Sequence, residues 1–397
     1  MSPYRQNNLG RYDTPAWLSS AVVAALPKKT PNKVIDIGSG SGSLSIAASQ
    51  RWKKTQLLTV DIDHRSENEI IRVLAKGNNH RHVLADALCP ELHRAVGVDA
   101  GTVDVILSNP PYQLARWRPE FESILNRAGL SKQATSAKEV TLDLIFLAQA
   151  LYLVRPGGHL GLIVPDTFVS GSRTAGTRRA IAETHSIERV IQLPRGAFRR
   201  TDAQAYILIL TSGKPTNSIV LERVSPEGYW DQPITVAAST AEDRLDYTFH
   251  LYNIVPKSGR ETSLKDLGVS VTRGRRSSSE VRLSNGIIFH TSSFPTLPGG
   301  TVHLNQPKNK NVSEVTAKRG DILVARVDRK LETKVAIVES GEAPISDCVF
   351  RLRCNLRLRQ RILDGLSSDS GRSQMIARSR GVGARNLSAT ELLRIRV

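Results

Sequence analysis

The sequence has few of the features that mark secreted, metal-binding or membrane-spanning proteins. It holds three cysteines, Cys89, Cys348 and Cys354, and no CxxC pair. No histidine pair is spaced to complete a zinc site, so we expect neither disulfides nor a bound metal. No apolar run approaches ~20 residues, and the first residues hold no apolar signal core, which predicts a cytoplasmic protein without membrane spans.

Negative charge is also scarce, most of all near the C-terminus. The formal net charge is +18 at pH 7. Residues 251–397 contain 26 Lys and Arg against 13 Asp and Glu, whereas residues 1–250 contain 29 against 24. This asymmetry favours a polyanionic partner, either nucleic acid or an anionic membrane, over a merely solvated surface.

Strand-like and helix-like segments alternate through the first half of the chain. Predicted helices follow the glycines near residue 40 and lie at 66–77, 137–154 and 173–183. Predicted strands lie at 33–37, 56–61, 83–88, 103–108, 159–165, 187–193 and 205–211. The alternation predicts a doubly wound, mostly parallel α/β sheet of Rossmann-like type, with ligands at the carboxyl ends of the strands.

The character of the sequence changes after this region. Residues 212–250 are rich in Pro, Ser and Thr, and we interpret them as a connection between domains. From about residue 261, short β-like runs alternate with basic loops rich in Ser and Gly. We therefore predict two domains, residues 1–240 and residues 241–397, the second being smaller and α+β or mostly β.

The first predicted strand runs into a glycine-rich turn. The segment VIDIGSGSG places Asp36, Gly38, Gly40 and Gly42 at alternate positions. Glycines allow the backbone to approach a ligand closely because they have no Cβ. A GxGxxG dinucleotide site would need glycine at Ser43, so this turn suits a ligand without a pyrophosphate.

Acidic residues end the next two strands. Asp61 is placed to accept hydrogen bonds from ribose hydroxyls, and Ile62 can cover an adenine face. Asp86 is placed to accept from an exocyclic amino group. Each carboxylate alone is also consistent with a helix cap or a surface charge. Acids at three successive strand ends, together with the glycines, favour a nucleoside cofactor.

This pattern resembles the S-adenosylmethionine-dependent methyltransferases, in particular those that methylate amino groups of DNA. The resemblance implies that Asp36 and the three glycines hold the methionine part of S-adenosyl-L-methionine. It assigns Asp61 to the ribose, Ile62 to the adenine ring and Asp86 to the adenine amino group. The family also has a Tyr-x-Thr-Pro segment that closes over the methionine end, and the residues at these positions here are Tyr12, Thr14 and Pro15.

The fourth predicted strand leads into Asn109-Pro110-Pro111-Tyr112. An exocyclic amine is a poor nucleophile because its lone pair is delocalised into the ring. Two hydrogen-bond acceptors help by drawing the nitrogen toward sp³, and Asn109 and the backbone carbonyl of Pro110 supply them. Both prolines lack an N–H and fix φ, which makes the turn rigid. Tyr112 can stack on a base extruded from the duplex.

Two further segments extend the resemblance, and a third is singled out by its basic composition. The sequence NPPY is similar to the adenine-N6 signature, and LPRGAF is similar to the segment whose aromatic residue, here Phe198, clamps the other face of the base. The long basic stretch 113–138 is a candidate DNA-contacting lid. The order of motifs resembles the γ group, which implies a target recognition domain in residues 241–397.

The sequence thus predicts a DNA adenine-N6 methyltransferase of a restriction–modification or related defence system. Double-stranded DNA is the expected partner, no membrane is expected, and a restriction endonuclease or specificity subunit stays open. Two alternatives remain: an RNA guanine or protein glutamine methyltransferase that uses the same loop, and a non-catalytic DNA-specificity protein. Asp321, Glu332 and Lys334 also match a loose D…ExK nuclease pattern. Candidate DNA-binding clusters are RGRR at 273–276, KNKN at 308–311, and Arg326, Arg329 and Lys330.

Overall fold

The computed structural model describes residues 13–65, 74, 79–131, 138–198, 201, 203–254, 261–283, 287–305, 314–381 and 383–397. The chain divides into two compact units, Met1–His250 and Leu251–Val397. The assignment of a separate function to each domain stays a prediction.

The first unit is built on one large sheet. The helices that begin in its described part are α1 (Ala16–Ala25), α2 (Ser43–Arg51), α3 (Leu92–Val96), α4 (Pro119–Arg127), α5 (Leu142–Leu153), α6 (Asp166–Ser170), α7 (Ala175–Thr184) and α8 (Tyr247–Ile254). Its described strands are β1 (Lys33–Ile37), β2 (Gln56–Asp61), β3 (His80–Leu84), β4 (Val103–Ser108), β5 (Leu114–Arg116), β6 (Glu139–Thr141), β7 (Val154–Pro165), β8 (Ser186–Gln192), β9 (Ala205–Thr211), β10 (Ser218–Arg223) and β11 (Ile234–Ala237).

Nine strands form this sheet in the order β11-β10-β8-β9-β7-β4-β1-β2-β3. The run from β3 to β7 is parallel, β8 pairs in parallel with β10, and β9 and β11 are antiparallel to their neighbours. The predicted doubly wound, mostly parallel sheet is confirmed. Strand order reverses beside β1, which has β2 on one side and β4 on the other. Ligands bind at such a switch point in α/β sheets.

The central strands are buried on both faces, as expected for parallel strands covered by helices. Ile35, Ile37, Val60, Ile106 and Leu107 are fully buried. Their continuous apolar character is what made these strands predictable from the sequence.

Several details differ from the sequence-based prediction. The third strand, predicted at 83–88, spans His80–Leu84, so Asp86 follows this strand and does not end it. Residues 212–250 are not a mere connection, because β10 and β11 lie in them and extend the sheet. Ile219 and Leu221 are fully buried in β10, but the apolar run is only three residues long and lies between Ser218 and Glu222, so it gives a weak signal. The helix predicted at 137–154 begins only at Leu142, because 139–141 pair with β5 as strand β6. The helix predicted at 66–77 lies outside the described residues except for Leu74.

The second unit is smaller and rich in β-strands, as predicted, and its described strands pair mostly antiparallel. Its described strands are β12 (Ser270–Arg273), β13 (Gly300–His303), β14 (Thr316–Lys318), β15 (Ile322–Ala325), β16 (Val327–Asp328), β17 (Val335–Ser340), β18 (Glu342–Pro344), β19 (Val349–Arg353) and β20 (Arg385–Asn386). Its described helices are α9 (Ser278–Leu283), α10 (Arg359–Ser367), α11 (Asp369–Arg378) and α12 (Ala389–Leu393). Five strands pair in the order β12-β19-β15-β17-β13, and only β13 and β17 pair in parallel. Within the described ranges, no helix is long and apolar enough to cross a membrane.

Candidate active site

Four parallel strands bring their carboxyl ends to one edge of the large sheet. The glycine turn follows β1, Asp61 ends β2, Asp86 follows β3 and Asn109 follows β4. Because these strands are neighbours in the order β4-β1-β2-β3, the four segments converge. They line one cavity of about 260 Å³. The described residues lining it are Asp13, Thr14, Gly38, Ser39, Gly40, Ser41, Ser43, Leu44, Val60, Asp61, Ile62, Ala85, Asp86, Ala87, Leu88, Asn109, Pro110, Pro111, Gln113, Arg118, Leu142 and Phe146.

The glycine turn has a backbone that only glycine adopts readily. Gly38, Gly40 and Gly42 have φ of +72°, +53° and +80°, all in the left-handed region. A Cβ at Gly38 would lie 2.8 Å from Cε1 of Phe146, so the space above this glycine is also closed to a side chain. The turn is therefore fixed by conformation and by packing.

Asp61 connects the second strand to the glycine turn. Its Oδ2 accepts a hydrogen bond of 2.7 Å from the Gly40 N–H, and its Oδ1 accepts one of 2.9 Å from the Asp63 N–H. These bonds aim the carboxylate at the cavity that it lines. Ile62, the next residue, is 53% exposed and lines the same cavity.

The loop after β3 presents Asp86. Its Oδ1 accepts from the Leu88 N–H at 2.8 Å, which holds the carboxylate against its own loop. Asp86, Ala87 and Leu88 all line the cavity. The loop thus supplies one acceptor and two apolar side chains.

Asn109 is held by hydrogen bonds at both ends of its carboxamide. Its Nδ2 donates to Thr14 Oγ1 at 3.0 Å, and the Tyr112 hydroxyl donates to its Oδ1 at 3.2 Å. Ser108 ties the preceding strand end to β1, because its hydroxyl donates to the Ile37 carbonyl at 2.6 Å. The amide is thus oriented by the N-terminal segment and by its own turn.

Some predicted site residues are not part of the described wall of the cavity. Asp36, Gly42, Pro15, Tyr112 and Phe198 are not among the described lining residues. Phe198 is 2% exposed in an apolar cluster against which Tyr112 also packs. Its role as a clamp on the base stays a prediction. Tyr12 lies outside the described residues.

The carboxyl group of Asp36, in β1, is buried and has a raised pKa. It is 1% exposed, its Oδ2 accepts from the Ser45 hydroxyl at 2.6 Å, and its Oδ1 has no hydrogen-bond partner among the described residues. Burial raises the pKa of Asp36 from 3.8 to about 7, the Ser45 bond opposes this rise, and the nearby charge of Asp61 adds to it. At neutral pH a large fraction of this carboxyl group is therefore protonated.

We expect Asp36→Asn to stabilise the protein in a pH-dependent way. The folded state favours protonated Asp36 because the pKa of Asp36 is raised there. The stability that Asp36 contributes is therefore fully present below about pH 4 and is lost as pH rises through about 7. At pH 8 the Asn variant should be more stable by up to about 4 kcal/mol, and the gain should vanish toward pH 4. Urea unfolding across this range measures it. Asp99→Asn, at an exposed position, is the control. A gain independent of pH would contradict the assignment.

Several cavity residues were not found from the sequence. Phe146 and Leu142 come from α5, and Gln113 and Arg118 follow the turn formed by residues 109–112. Phe146 and Leu142 belong to a helix so apolar throughout that no face stands out. The basic composition of residues 113–138 pointed to Arg118, because this stretch is predicted to contact DNA.

The D…ExK pattern does not form a metal site. Asp321 accepts from Arg353 at 2.7 and 3.1 Å, and Lys334 donates to the Thr291 carbonyl at 2.6 Å. Glu332 lies 4.0 Å from Arg385. In the part of the chain that the structure describes, no group of three or more His, Cys, Asp or Glu residues could hold a metal ion.

The sheet order and the glycine turn at its switch point define a Rossmann-like methyltransferase fold. The chain matches the N-6 DNA Methylase family over residues 2–227, more than half of its length, and it belongs to this family. It is 25% identical over 232 residues to the type I restriction enzyme MpnII methylase subunit of Mycoplasma pneumoniae, which covers 54% of this chain and 43% of that protein.

A second relative is the type I restriction enzyme MjaVII methylase subunit of Methanocaldococcus jannaschii. It is 26% identical over 227 residues, which cover 52% of this chain and 37% of that protein. The chain therefore spans less than half the length of these curated relatives. The crystal structure of the type IIG restriction endonuclease BpuSI matches 99% of this chain and 59% of its own, at 14% identity and a TM-score of 0.55. This likeness is one of fold.

Proposed function

We propose that this chain transfers a methyl group from S-adenosylmethionine to N6 of an adenine extruded from duplex DNA. It would do so within a restriction–modification or related defence system. Membership in the N-6 DNA Methylase family supports the proposal, as do two relatives named methylase subunits of type I restriction enzymes. The observation that carries it is that Asn109 and Pro110 line the same cavity as the glycine turn and Asp61.

The donors and acceptors of the cavity fit this cofactor, which the family implies. Asp61 and Asp86 offer acceptors to ribose hydroxyls and to an adenine amino group. Ile62 and Phe146 offer apolar surface to a purine ring, and a side chain at Gly38 would fill the cradle. Bound S-adenosylmethionine supplies an electrophilic methyl group.

The residues of the turn 109–112, here called the catalytic turn, would make the amine a better nucleophile. Asn109 Oδ1 and the Pro110 carbonyl accept hydrogen bonds from the NH₂ group, which frees its lone pair for attack. The Tyr112 hydroxyl donates to Asn109 Oδ1, so an incoming amine would share or replace this bond. The amine sheds its extra proton after it gains the methyl group, so no strong base is needed during attack.

The second unit would bind DNA, and its ion pairs indicate which basic residues are available. Arg273 pairs with Asp347 at 3.0 Å, and Arg326 donates to the Asp347 carbonyl at 2.6 Å. Arg276 pairs with Glu280 and Glu314. These three arginines therefore stabilise their own unit. Arg329 and Lys330 lie exposed in the turn between β16 and β17 and are the better candidates for phosphate contacts. The KNKN cluster lies outside the described residues.

The double variant Arg329→Ala/Lys330→Ala should weaken DNA binding while leaving cofactor affinity unchanged. Each phosphate contact that is lost makes DNA binding less sensitive to salt. The magnitude of the slope of log K against log [salt] should therefore fall by about 2. Fluorescence anisotropy at several salt concentrations measures both effects. Arg372→Ala/Arg394→Ala removes the same charge from residues paired with Asp369 in α11 and Glu391 in α12. Equal losses in the two double variants would show that only net charge matters.

Labelled methyl transfer to three substrates tests the proposed function. Purified protein and radiolabelled S-adenosylmethionine are incubated with duplex DNA, ribosomal RNA or a release factor. We expect label in duplex DNA, recovered as N6-methyladenine. Label only in RNA guanine or in protein glutamine would replace the proposal with that alternative. No transfer to any substrate, together with no S-adenosylmethionine binding in calorimetry, would favour a non-catalytic DNA-specificity protein.

A further inference from the structure

A buried glutamine in α5 connects this helix to the loop after β3. Gln149 is 1% exposed, and its Nε2 donates to the Ala87 carbonyl at 3.0 Å and to the Cys89 carbonyl at 2.7 Å. A backbone carbonyl only accepts, so the orientation of this side-chain amide is unambiguous. Asp86, Ala87 and Leu88, which line the cavity, are therefore held from behind by Gln149.

The same helix contacts two other parts of the site. The Phe146 ring lies over Gly38 of the glycine turn, and the Leu142 N–H donates to the Gln113 carbonyl at 2.9 Å, just after the catalytic turn. Helix α5 thus contacts the segment after the catalytic turn through Leu142, its first residue. One helical turn later Phe146 contacts the glycine turn, and one helical turn after that Gln149 contacts the Asp86 loop. Rigid packing of one helix against three loops fixes the distances between them.

We propose that Gln149 is a positioning residue for the cofactor site. By anchoring the Asp86–Leu88 loop to α5, it sets the distance between the adenine-binding acceptor and the glycine turn, and so sets the affinity for the nucleoside part of the cofactor. This inference rests on the proposed function, which supplies S-adenosylmethionine as the ligand. It adds a residue that does not line the described cavity wall.

Gln149→Met tests the proposal because methionine matches glutamine in length and lacks its N–H donors. We expect the Kd for S-adenosylmethionine, measured by calorimetry, to rise about 10- to 100-fold, since two hydrogen bonds of a buried side chain are removed. The KM for the cofactor should rise in parallel, while kcat at saturating cofactor should change less than about threefold. Gln149→Leu gives the same test if the Met variant is poorly folded. An unchanged Kd in a folded variant would overturn the proposal.

Gln204→Met is the matched control. Gln204 is also buried and donates to two backbone carbonyls, those of Leu193 at 2.6 Å and Ala205 at 3.2 Å, but it does not line the described cavity. Both variants should lose similar thermal stability, and only Gln149→Met should lose cofactor affinity. Equal losses of affinity would make the effect one of general stability and would contradict a positioning role.

A double-mutant cycle with Asp86→Ala shows whether Gln149 acts through this loop. If it does, Gln149→Met should cost little further affinity once Asp86 is removed, because residues in one network are not additive. Additive losses would contradict the proposed route. Failure of this inference is distinct from failure of the proposed function. A wild-type chain that methylates no DNA would contradict the proposed function, whereas an unchanged Kd in Gln149→Met would contradict only the positioning role of Gln149.

Discussion

Asn109→Ala should reduce methyl transfer to DNA by about 10³-fold or more, to background, while the Kd for S-adenosylmethionine changes less than about twofold. Alanine removes the side-chain acceptor and leaves the cofactor cavity otherwise intact. The amine would then meet only the Pro110 carbonyl, and its lone pair would stay delocalised. Single-turnover transfer and calorimetry on the same preparation measure the two quantities.

Asn109→Asp is the informative companion to this variant. Aspartate keeps the acceptor oxygens and loses the Nδ2 donor that bonds to Thr14. We expect it to retain part of the activity that Asn109→Ala loses. Loss of cofactor binding in Asn109→Ala, or equal inactivity of both variants, would show that Asn109 does not act as the acceptor of the amine.

Gly38→Ala should lower cofactor affinity by at least about 30-fold, and it is the second large effect that we expect. A Cβ at this position would lie 2.8 Å from Phe146 and would sit on a backbone with φ of +72°. The left-handed conformation alone costs roughly 1–2 kcal/mol for a non-glycine residue. The clash must in addition displace Phe146 or the turn, and both line the cavity. Calorimetry with S-adenosylmethionine measures the loss.

Gly101→Ala separates strain from the clash. Gly101 has φ of +66°, and a Cβ there would meet nothing within 4 Å. The two variants should therefore have a similar conformational cost in stability, but Gly101→Ala should bind the cofactor normally. The double variant Gly38→Ala/Phe146→Ala, which removes the obstructing ring, should be less distorted at the turn than Gly38→Ala. Normal cofactor binding by Gly38→Ala would contradict the cradle assigned to this turn.

The strand-end segments could be predicted because each is encoded locally. A buried apolar strand followed by glycines, an acid or Asn109-Pro110 is visible in a few consecutive residues, and parallel order then brings these segments together. Residues that reach the site from α5 could not be predicted in the same way. Phe146 and Gln149 lie on a helix that is apolar nearly all round, and their orientation depends on how it packs on the sheet.

Other features depend on ion pairs and on strand pairing, which the sequence does not show. The sequence shows that the C-terminal region is basic but not that Arg276 and Arg326 are engaged within their own unit. Strand β10 was missed because its burial depends on a neighbouring strand, β8, that comes well before it in the chain. Phe198 illustrates a further limit, since a motif identifies the residue but not whether its ring reaches a base.

Mapping N6-methyladenine in DNA from cells that express this chain distinguishes the proposed function from its alternatives. The wild-type chain should methylate adenine within a defined sequence context, and the Asn109→Ala chain, expressed at the same level, should leave that context unmethylated. Methylation that persists in Asn109→Ala, or a wild-type chain that adds no N6-methyladenine while it methylates RNA or protein, would contradict the proposed function.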